Sequence, residues 1–331
     1  MKEKKLTMKD IAEMAGVGKT TVSRYFNGGY VKEETRLKIK KIIDQYNYQP
    51  NTFAQSLKAK ETKIIGIIAP TLTSTTSSRM ISSLNQYLKK EGYTPLIIDT
   101  NYSQLEELSA IEKLWHMNVD GIVLVATELT MAHHTLAKKL DIPFVVLGQE
   151  MKDGYSIIND DYEAGFEVGR YAGKMNHQKI IYLGVNAKDE AVGYIRKKGV
   201  LDGLKQSGIK NVKVVETDFT FDKTRKVVHD LLNRELPSLI ICATDNIALA
   251  SFKELKEAHV QVPQTVSLIG FGGYEISKLI TPSLCTIRFD NEQAGMLAGK
   301  TLLKLIKKEN VESAQKIHYQ FIEGGSVDYK K

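Results

Sequence analysis

The sequence predicts a small all-α head and hinge helix, followed by an α/β core of two parallel-sheet subdomains. Two observations predict this division. The excess of positive charge lies in the first 60 residues, where apolar residues recur at helical spacing. From Lys63 onward, short apolar runs alternate with amphipathic helical stretches, a pattern typical of parallel sheets wound by right-handed crossovers.

The head begins with two predicted helices joined by a tight turn. Thr7 and Asp10 have the spacing of a capping box that opens the first helix. The sequence AGVG ends that helix, and a second helix is expected from Lys19 to Phe26. Helix, four-residue turn and helix is helix-turn-helix geometry.

A third helix is expected to support the first two. It runs from about Glu33 to Tyr46, and the sequence NGG separates it from the second helix because these residues tolerate positive φ. Its predicted inward-facing residues are Leu37, Ile39, Ile42, Ile43 and Tyr46.

The second helix has a polar and basic outer face. Val17, Val22 and Phe26 are its predicted anchors. Short donor and acceptor side chains near a helix N-terminus can reach base edges in the major groove of DNA, and an arginine can pair with guanine or phosphate. The outward-facing residues are Lys19, Thr20, Thr21, Ser23 and Arg24.

The charge distribution favours DNA binding over a simple solvated surface. Residues 1–60 contain 13 Lys and Arg and 6 Asp and Glu, so they hold the whole net charge of +7. A basic tail is the alternative, but the helical periodicity and caps favour a polyanion-binding head on a neutral body.

The segment NYQPNTFAQSLKAK follows the head. Asn51 can cap a short helix through Leu57. A helix of about seven residues does not hold alone in water, so we expect a partner to order it, namely its twin in a homodimer together with DNA. Leu57, followed by Lys58, suits a wedge in the minor groove; the alternative is a linker residue packed on the body.

The core is predicted to bind a ligand between its subdomains. More than eight strands suggest two sheets, with the ligand in the crevice at the carboxyl ends of the strands. The clearest strand candidates are 64–69, 95–98, 121–126, 143–148, 180–184, 213–216, 239–243 and 266–271.

Nothing in the sequence indicates catalysis, so we predict no enzyme, cofactor or metal. GFGGYE, residues 270–275, does not fit the pattern GxGxxG, and the adjacent His133 and His134 lack the i,i+4 spacing of a helical zinc site. Cys242 and Cys285 lie in apolar contexts and are expected to be reduced core residues of a cytoplasmic protein. No apolar run approaches ~18 residues, and the N-terminus lacks a secretory h-region.

The pattern DIAxxAGV…TVSR…N…V…TR…I…NYxPN…AQSL covers residues 7–57. It resembles the DNA-binding head and hinge of the LacI/GalR family of bacterial repressors. The resemblance implies base reading by Lys19, Thr20 and Arg24, and a minor-groove wedge at Leu57. Lys32 departs from the family, which usually has a Ser or Thr cap there. The residues expected to contact DNA are Thr7, Lys19, Thr20, Thr21, Ser23, Arg24, Asn27, Asn51, Ala54, Gln55, Leu57 and Lys58.

The rest of the chain resembles the periplasmic-binding-protein-like core of the same family. This resemblance implies three crossings between the subdomains. The expected divisions are a head at 1–48, a hinge at 49–62 and a core at 63–328, with the first subdomain at about 63–160 and 289–316 and the second at about 161–288 and 317–328.

The loop TLTSTTSSRM after the first strand combines hydroxyls with an arginine. These groups suit a polyhydroxyl ligand and suit a solvated helix cap equally well. The resemblance places the loop in one wall of an effector cleft. In the other wall it implies an arginine that pairs with sugar hydroxyls and a phenylalanine that stacks on the ring; Asp245 has a helix-capping alternative. The residues concerned are Thr73, Ser74, Ser78 and Arg79 in one wall, and Arg196, Phe219, Thr244, Asp245 and Phe289 in the other.

Two glycines depart from galactoside-binding members, which carry acidic residues at these positions. Gly148 and Gly272 therefore join the expected effector site, with a changed sugar preference. The motifs VSRYFNGG, AQSLKAK, SSRM, LGQE and IGFGGYE are most similar to sucrose-operon repressors. The resemblance implies an allosteric homodimeric repressor of a carbohydrate operon that binds a pseudo-palindromic operator, with sucrose, fructose or a phosphorylated form as effector.

Three other kinds of protein share parts of this pattern. A transport-type sugar-binding protein would share the core but needs a secretion signal and has no use for a basic head. A catabolite regulator with a phosphoprotein corepressor would share both head and core, as would a LacI/GalR-family regulator of another sugar, and both alternatives stay open.

Overall fold

The computed structural model describes residues 6–26, 28–48, 61–234 and 236–330. The chain divides into two compact units, residues 1–63 and 64–331, which are treated separately below. Several predicted positions lie outside the described residues: Asn27, Asn51, Ala54, Gln55, Leu57 and Lys58, with residues 49–60 of the expected hinge.

The head contains the three predicted helices. Thr7 and Asp10 form the predicted capping box, in which the Thr7 amide donates to Asp10 Oδ2 at 2.6 Å. Gly16 ends the first helix with a φ of 64°, a left-handed conformation that glycine adopts without strain. The helices are α1 Met8–Ala15, α2 Lys19–Phe26 and α3 Glu33–Tyr46.

The core of the head is small, and the sequence analysis overestimated it. Ile11, Val22 and Ile39 are fully buried. The prediction that Leu37 and Tyr46 face inward is wrong, because their exposed fractions are 58% and 49%. Leu37 lies about 200° around the helix from Ile39. Tyr46 is the last residue of α3.

Lys32 occupies the N-cap of α3 and makes no side-chain capping bond. The departure noted in the sequence therefore leaves the start of α3 uncapped without preventing the helix, because Ile39 anchors it in the core.

The second unit contains two six-stranded sheets, which confirms the predicted fold class. The first sheet has the order β11-β5-β4-β3-β1-β2 and is parallel throughout. The second has the order β12-β10-β9-β8-β6-β7, and only its β10–β12 pair is antiparallel. The strands are β1 Ile64–Ala69, β2 Thr94–Asp99, β3 Gly121–Val125, β4 Phe144–Leu147, β5 Tyr155–Asn159, β6 Ile180–Gly184, β7 Val212–Glu216, β8 Leu239–Cys242, β9 Ser267–Phe271, β10 Cys285–Phe289, β11 Ala314–Ile317 and β12 Tyr319–Ile322.

Helices cover both faces of each sheet. In the first subdomain α4 and α12 bury one face and α5 and α6 bury the other. In the second, α7 to α10 surround the sheet, with the free and buried Cys242 and Cys285 among its strands. The helices are α4 Thr75–Lys90, α5 Gln104–His116, α6 Met131–Lys139, α7 Asp161–Lys174, α8 Lys197–Gln206, α9 Phe221–Leu232, α10 Asp245–Glu257, α11 Glu275–Leu279 and α12 Asn291–Ile306, and a π-helical segment, Glu190–Arg196, leads into α8.

The chain passes between the two subdomains at three places. It leaves the first sheet after β5, returns after β10 to form α12 and β11, and leaves again for β12. Each subdomain is therefore assembled from two separate stretches of sequence. The crossings bring Asp160, Asp290 and His318 to the boundary between the sheets.

Glycines let α7 approach the π-helical segment and α8 very closely. A Cβ on Gly165 would lie 2.3 Å from the carbonyl oxygen of Arg196, and one on Gly203 would lie 2.2 Å from the carbonyl oxygen of Phe166. Backbone atoms cannot move aside as a flexible side chain can. The close approach therefore fixes where Arg196 sits relative to the start of α7.

We expect Gly165→Ala to destabilise the protein by about 1–3 kcal/mol, because overpacking costs about this much. In a helix without such a contact the same change would stabilise by up to about 1 kcal/mol. Lys174→Ala, at an exposed position of α7, is the control and should change little. Urea denaturation measures both, and a stabilised Gly165→Ala protein would contradict the close packing.

Candidate functional site

The outer face of α2 is the first candidate site. Lys19, Thr20 and Arg24 are exposed, while Val22 on the opposite side of the helix is fully buried. Of the other predicted DNA contacts on α2, Thr21 and Ser23 are half-buried. This face presents cationic and hydroxyl groups to solvent at the N-terminal end of the second helix of a helix-turn-helix.

Thr7 is exposed, but its side chain has a structural partner. Its hydroxyl lies 2.7 Å from Asp10 Oδ2 and accepts from the Asp10 amide at 3.3 Å. A DNA contact by Thr7 would therefore share the hydroxyl with the cap of α1.

The second candidate site is the cleft between the two sheets of the core, where the carboxyl ends of the strands meet. The hydroxyl-rich loop after β1 forms one edge. Ser74 caps α4 by accepting from the Ser77 amide, and the Ser78 hydroxyl donates to the Ser74 carbonyl at 2.5 Å. Thr73 is exposed and its hydroxyl lies 3.0 Å from that of Thr71. In this structure the side chains of Ser74 and Ser78 therefore make hydrogen bonds within the start of α4.

Two side chains of this edge reach the other subdomain. The Thr76 hydroxyl lies 3.1 Å from the Tyr274 hydroxyl, and the Arg79 guanidinium lies 3.6 Å from Glu275. Burial raises the pKa of Tyr274 to about 12, so its hydroxyl stays protonated. Sequence reasoning missed Thr76 and Tyr274, although both lie in motifs that it singled out.

Arg196 lies at the floor of the cleft and is 4% exposed. Its Nε and Nη2 donate to Asp161 Oδ1 at 2.8 and 2.6 Å, and its Nη1 donates to the Ala243 carbonyl at 2.6 Å. Burial opposes its charge, but the adjacent Asp161 carboxylate raises the pKa of Arg196 above its usual value. The rings of Phe271 and Phe289 lie 5.0 and 5.2 Å from the guanidinium carbon.

Asp245 is fully buried and holds the loop after β9 in place. Its Oδ2 accepts from the Tyr274 amide at 3.0 Å and the Ser277 hydroxyl at 2.8 Å, and its Oδ1 accepts from the Thr286 hydroxyl at 2.5 Å. Thr244, rather than Asp245, caps α10, by accepting from the Ile247 amide at 3.2 Å. The geometry supports a structural role for Asp245, but at the loop after β9 rather than at the cap of α10.

Gly148 and Gly272 both occupy positions that leave little freedom or room for a side chain. Gly148 has a φ of 90°, a conformation that strains a residue with a Cβ. Gly272 is buried, and a Cβ there would lie 2.6 Å from the Tyr274 ring. An acidic side chain at either position would require the cleft edge to rearrange.

Gln149, next to Gly148, joins the two subdomains and was missed by sequence reasoning. It is 4% exposed. Its Nε2 donates to the Thr127 carbonyl at 3.0 Å and to Asp189 Oδ1 at 2.8 Å, and its Oε1 accepts from the Ala191 amide at 3.1 Å. Asp189 in turn caps the π-helical segment that ends at Arg196. The position of Gln149 after a buried strand was the available signal.

Phe219 faces an aromatic ring from the other subdomain. Its ring centroid lies 6.5 Å from that of Tyr102, and the two planes are 7° apart. Tyr102 is 46% exposed. Two nearly parallel rings at the rim of the cleft present aromatic faces of the kind on which a sugar ring can stack.

Two hollows in the core differ in size and in their relation to the predicted effector site. One of about 150 Å³ lies at the crossings, lined by Gly148, Gln149, Asp160 and Lys316 among others. A larger one of about 370 Å³ lies between α7 and β12, and none of the predicted effector residues lines it. The smaller hollow, and not the larger one, adjoins the predicted effector site, so the volume of a hollow does not by itself identify that site.

Comparison with known proteins gives a consistent result for both units. Residues 7–51 match the bacterial regulatory proteins of the lacI family, and residues 171–327 match a periplasmic binding protein-like domain. The sucrose operon repressor of Staphylococcus xylosus is 36% identical over 304 residues, which cover 92% of this chain and 94% of that protein. The chain belongs to the LacI family.

Other relatives and structures agree with this assignment. Catabolite control protein A of Priestia megaterium is 28% identical over 316 residues, 93% of this chain and 95% of that protein. A crystal structure of the lac repressor dimer bound to operator and an anti-inducer superposes with a TM-score of 0.90 at 23% identity, covering 98% of this chain and all of that one. At this identity the second comparison shows the fold alone.

As a member of the LacI family, this protein is a DNA-binding transcriptional repressor and not an enzyme. Across the described residues, no helix is long and apolar enough to cross a membrane.

His133, one of the two adjacent histidines of α6, is fully buried, and its Nε2 lies 2.8 Å from Glu107 Oε1. This contact holds α5 against α6.

The buried carboxyl of Asp189 gives this LacI-family core a specific pH dependence. Burial raises its pKa to about 6, above the ~3.9 of an unfolded aspartate. Over the range between these values the folded chain binds more protons than the unfolded chain, so stability is lost as pH rises. Between pH 4.5 and pH 7.5 this costs about 2 kcal/mol in the free energy of unfolding.

Asp189→Asn removes the titrating carboxyl and should therefore remove the loss of stability between pH 4.5 and pH 7.5. We expect the free energy of unfolding of the variant, relative to wild type, to rise by about 2 kcal/mol from pH 4.5 to pH 7.5. Urea denaturation at both pH values measures the difference, in which all other titrations cancel. Asp230→Asn, exposed on α9, is the control; a pH-independent difference for Asp189→Asn would contradict the raised pKa.

Proposed function

We propose that this protein is the repressor of a sucrose- or fructose-utilisation operon and acts in the cytoplasm. The observation that carries the proposal is the 36% identity to a sucrose operon repressor over 92% of the chain. The cleft chemistry supports it, because hydroxyl, amide and carboxylate groups line the edges, with aromatic rings at the rim.

We propose that α2 reads the operator. Lys19, Thr20 and Arg24 are the exposed residues that would contact base edges, with help from Thr21 and Ser23. Arg24 is suited to a bidentate contact with guanine, whereas lysine offers a point charge that also suits phosphate. The remaining predicted contacts, from Asn27 to Lys58, belong to the same proposal.

The proposed protein is a homodimer in which two heads bind the half-sites of a pseudo-palindrome. Two hinge segments would pair at its centre and insert Leu57 into the minor groove. A half-site spacing of one or more helical turns follows from such a two-fold arrangement.

The proposed effector is sucrose, fructose or a phosphorylated form, bound in the cleft. Phe219 and Tyr102 would stack on the sugar, and the hydroxyl loop around Thr73 would bind its hydroxyls. Gln149 and Thr76 already bond across the cleft, so a ligand that exchanges these bonds would change the relative pose of the subdomains. A ligand shifts the equilibrium only by its difference in affinity for the two states, typically about 1–3 kcal/mol.

Arg24→Ala should weaken operator binding by about 1–3 kcal/mol and reduce the preference for operator over random DNA, because a lost base contact removes discrimination. Lys226→Ala, an exposed cation on α9 in the core, is the matched control and should leave both affinities unchanged. Gel shifts at several salt concentrations, with a palindrome from the protein's own promoter, measure the effect. Equal losses on operator and random DNA would reduce Arg24 to a phosphate contact.

Calorimetry with sucrose, fructose and their phosphates, with and without operator DNA, tests the effector. We expect at least one of these to release heat on binding and to change operator affinity about 5- to 150-fold. Operator binding that is insensitive to all of them would favour the catabolite regulator with a phosphoprotein corepressor, to which the 28% identity with catabolite control protein A gives some support.

A further inference from the structure

We infer that the cleft selects an uncharged polyhydroxyl effector and discriminates against phosphorylated sugars, because buried carboxylates outnumber the buried guanidinium at its floor. The inference rests on the proposed function, in which a sugar occupies the cleft. It narrows the three effectors considered above to the uncharged ones.

The charged groups buried at the floor are one cation and three acids. Arg196 and Asp161 are each 4% exposed, Asp189 is 8% exposed and Asp245 is fully buried. They lie close enough to influence one another: Asp161 and Asp189 both raise the pKa of Arg196, and Arg196 and Asp245 both act on Tyr274. Burial raises the pKa of Asp161 and of Asp245, but Arg196 beside Asp161 and the hydrogen-bond donors around Asp245 oppose this by favouring the ionised forms. One guanidinium cannot neutralise three carboxylates.

Arg196 is not presented to a ligand in this structure. Three of its nitrogens donate to Asp161 and to the Ala243 carbonyl. The rings of Phe271 and Phe289 lie close to its guanidinium carbon. A phosphate that drew Arg196 away would leave Asp161 buried without its partner, which is strongly unfavourable.

Three further cations near the cleft, among the residues that the structure describes, are paired or solvated. Arg79 lies 3.6 Å from Glu275, and Lys316 lies 3.0 Å from Asp160. Lys188, on the loop after β6, is exposed, so water and salt screen its charge. A phosphate would therefore compete with carboxylates for the paired cations or with solvent for Lys188.

Buried carboxylates suit hydroxyl donors. An ionised carboxylate accepts only, and a hydroxyl can donate to it in a short charge-assisted bond. Asp189 Oδ1 already accepts from Gln149 Nε2 at 2.8 Å and from the Val192 amide at 2.8 Å. A sugar hydroxyl can take the place of the Gln149 amide there. A phosphate dianion has no proton to donate and would be repelled.

Titration calorimetry at pH 7.5 tests the inference with matched pairs: fructose against fructose 1-phosphate and fructose 6-phosphate, and sucrose against sucrose 6-phosphate. We expect the uncharged sugar of at least one pair to bind about tenfold or more tightly than its phosphate, an effect typical of one unscreened like charge. Tighter binding of the phosphate in every pair that binds would overturn the inference.

Asp189→Asn identifies the charge responsible. Asparagine keeps an oxygen that can accept from Val192, so the shape is retained while the charge is lost. We expect this change to narrow the ratio of sugar to phosphate affinity about 3- to 10-fold, mainly through tighter phosphate binding. Asp230→Asn, exposed on α9, should leave the ratio unchanged. An unchanged ratio in Asp189→Asn would contradict the role given to this carboxylate.

Glu190→Gln provides a second variant, at the exposed residue next to Asp189 that lines the hollow at the crossings, where a folding defect is not expected. This change should also narrow the ratio of sugar affinity to phosphate affinity, but by a smaller factor than Asp189→Asn. If no sugar gives heat while the protein still shifts operator DNA, the sugar effector of the proposed function fails and this inference fails with it. Tighter binding of the phosphates would contradict this inference but would leave the proposed function standing.

Discussion

The buried ion pair between Arg196 and Asp161 is the contact on which the floor of the cleft depends. Asp161 begins α7 directly after the first crossing between the subdomains, and Arg196 ends the π-helical segment that Asp189 caps. The absence of a side chain at Gly165 allows the two elements to approach closely enough for the pair to form. Because the pair is buried, its hydrogen-bonding groups depend on partners within the protein. The cleft is consequently built around charges that already have partners.

Most of the fold could be predicted because its signals are local. The capping box at Thr7, the bounds of α2 and α3 and the eight apolar runs all reflect neighbouring residues, and each coincides with an element of the structure. Four strands were not proposed. β5 and β10 lie inside the sheets, whereas β11 and β12 are short and lie at sheet edges. There, half the side chains face solvent, so Lys316 and Gln320 interrupt the apolar pattern.

The site was harder to predict because its contacts join distant parts of the chain. Gln149 meets Asp189 across 40 positions and Thr76 meets Tyr274 across 198, and neither pairing leaves a trace in local spacing. The same limit explains the error at Tyr46, whose spacing along α3 suggested an inward position but whose side chain is 49% exposed. Residue type predicted polar chemistry at the strand ends; tertiary contacts decide which of those groups remain available to a ligand.

The discontinuous first subdomain has a consequence for synthesis. Its first five strands are complete once residue 159 has been made, but α12, which buries one face of that sheet, comes from residues 291–306, and β11 from 314–317. During translation the apolar residues that α12 covers on β3 and β4, such as Val123 and Val145, must stay exposed or transiently covered until α12 has left the ribosome. The first subdomain is therefore the first to be synthesised in part, but it cannot complete its fold until residues 291–317 have been made.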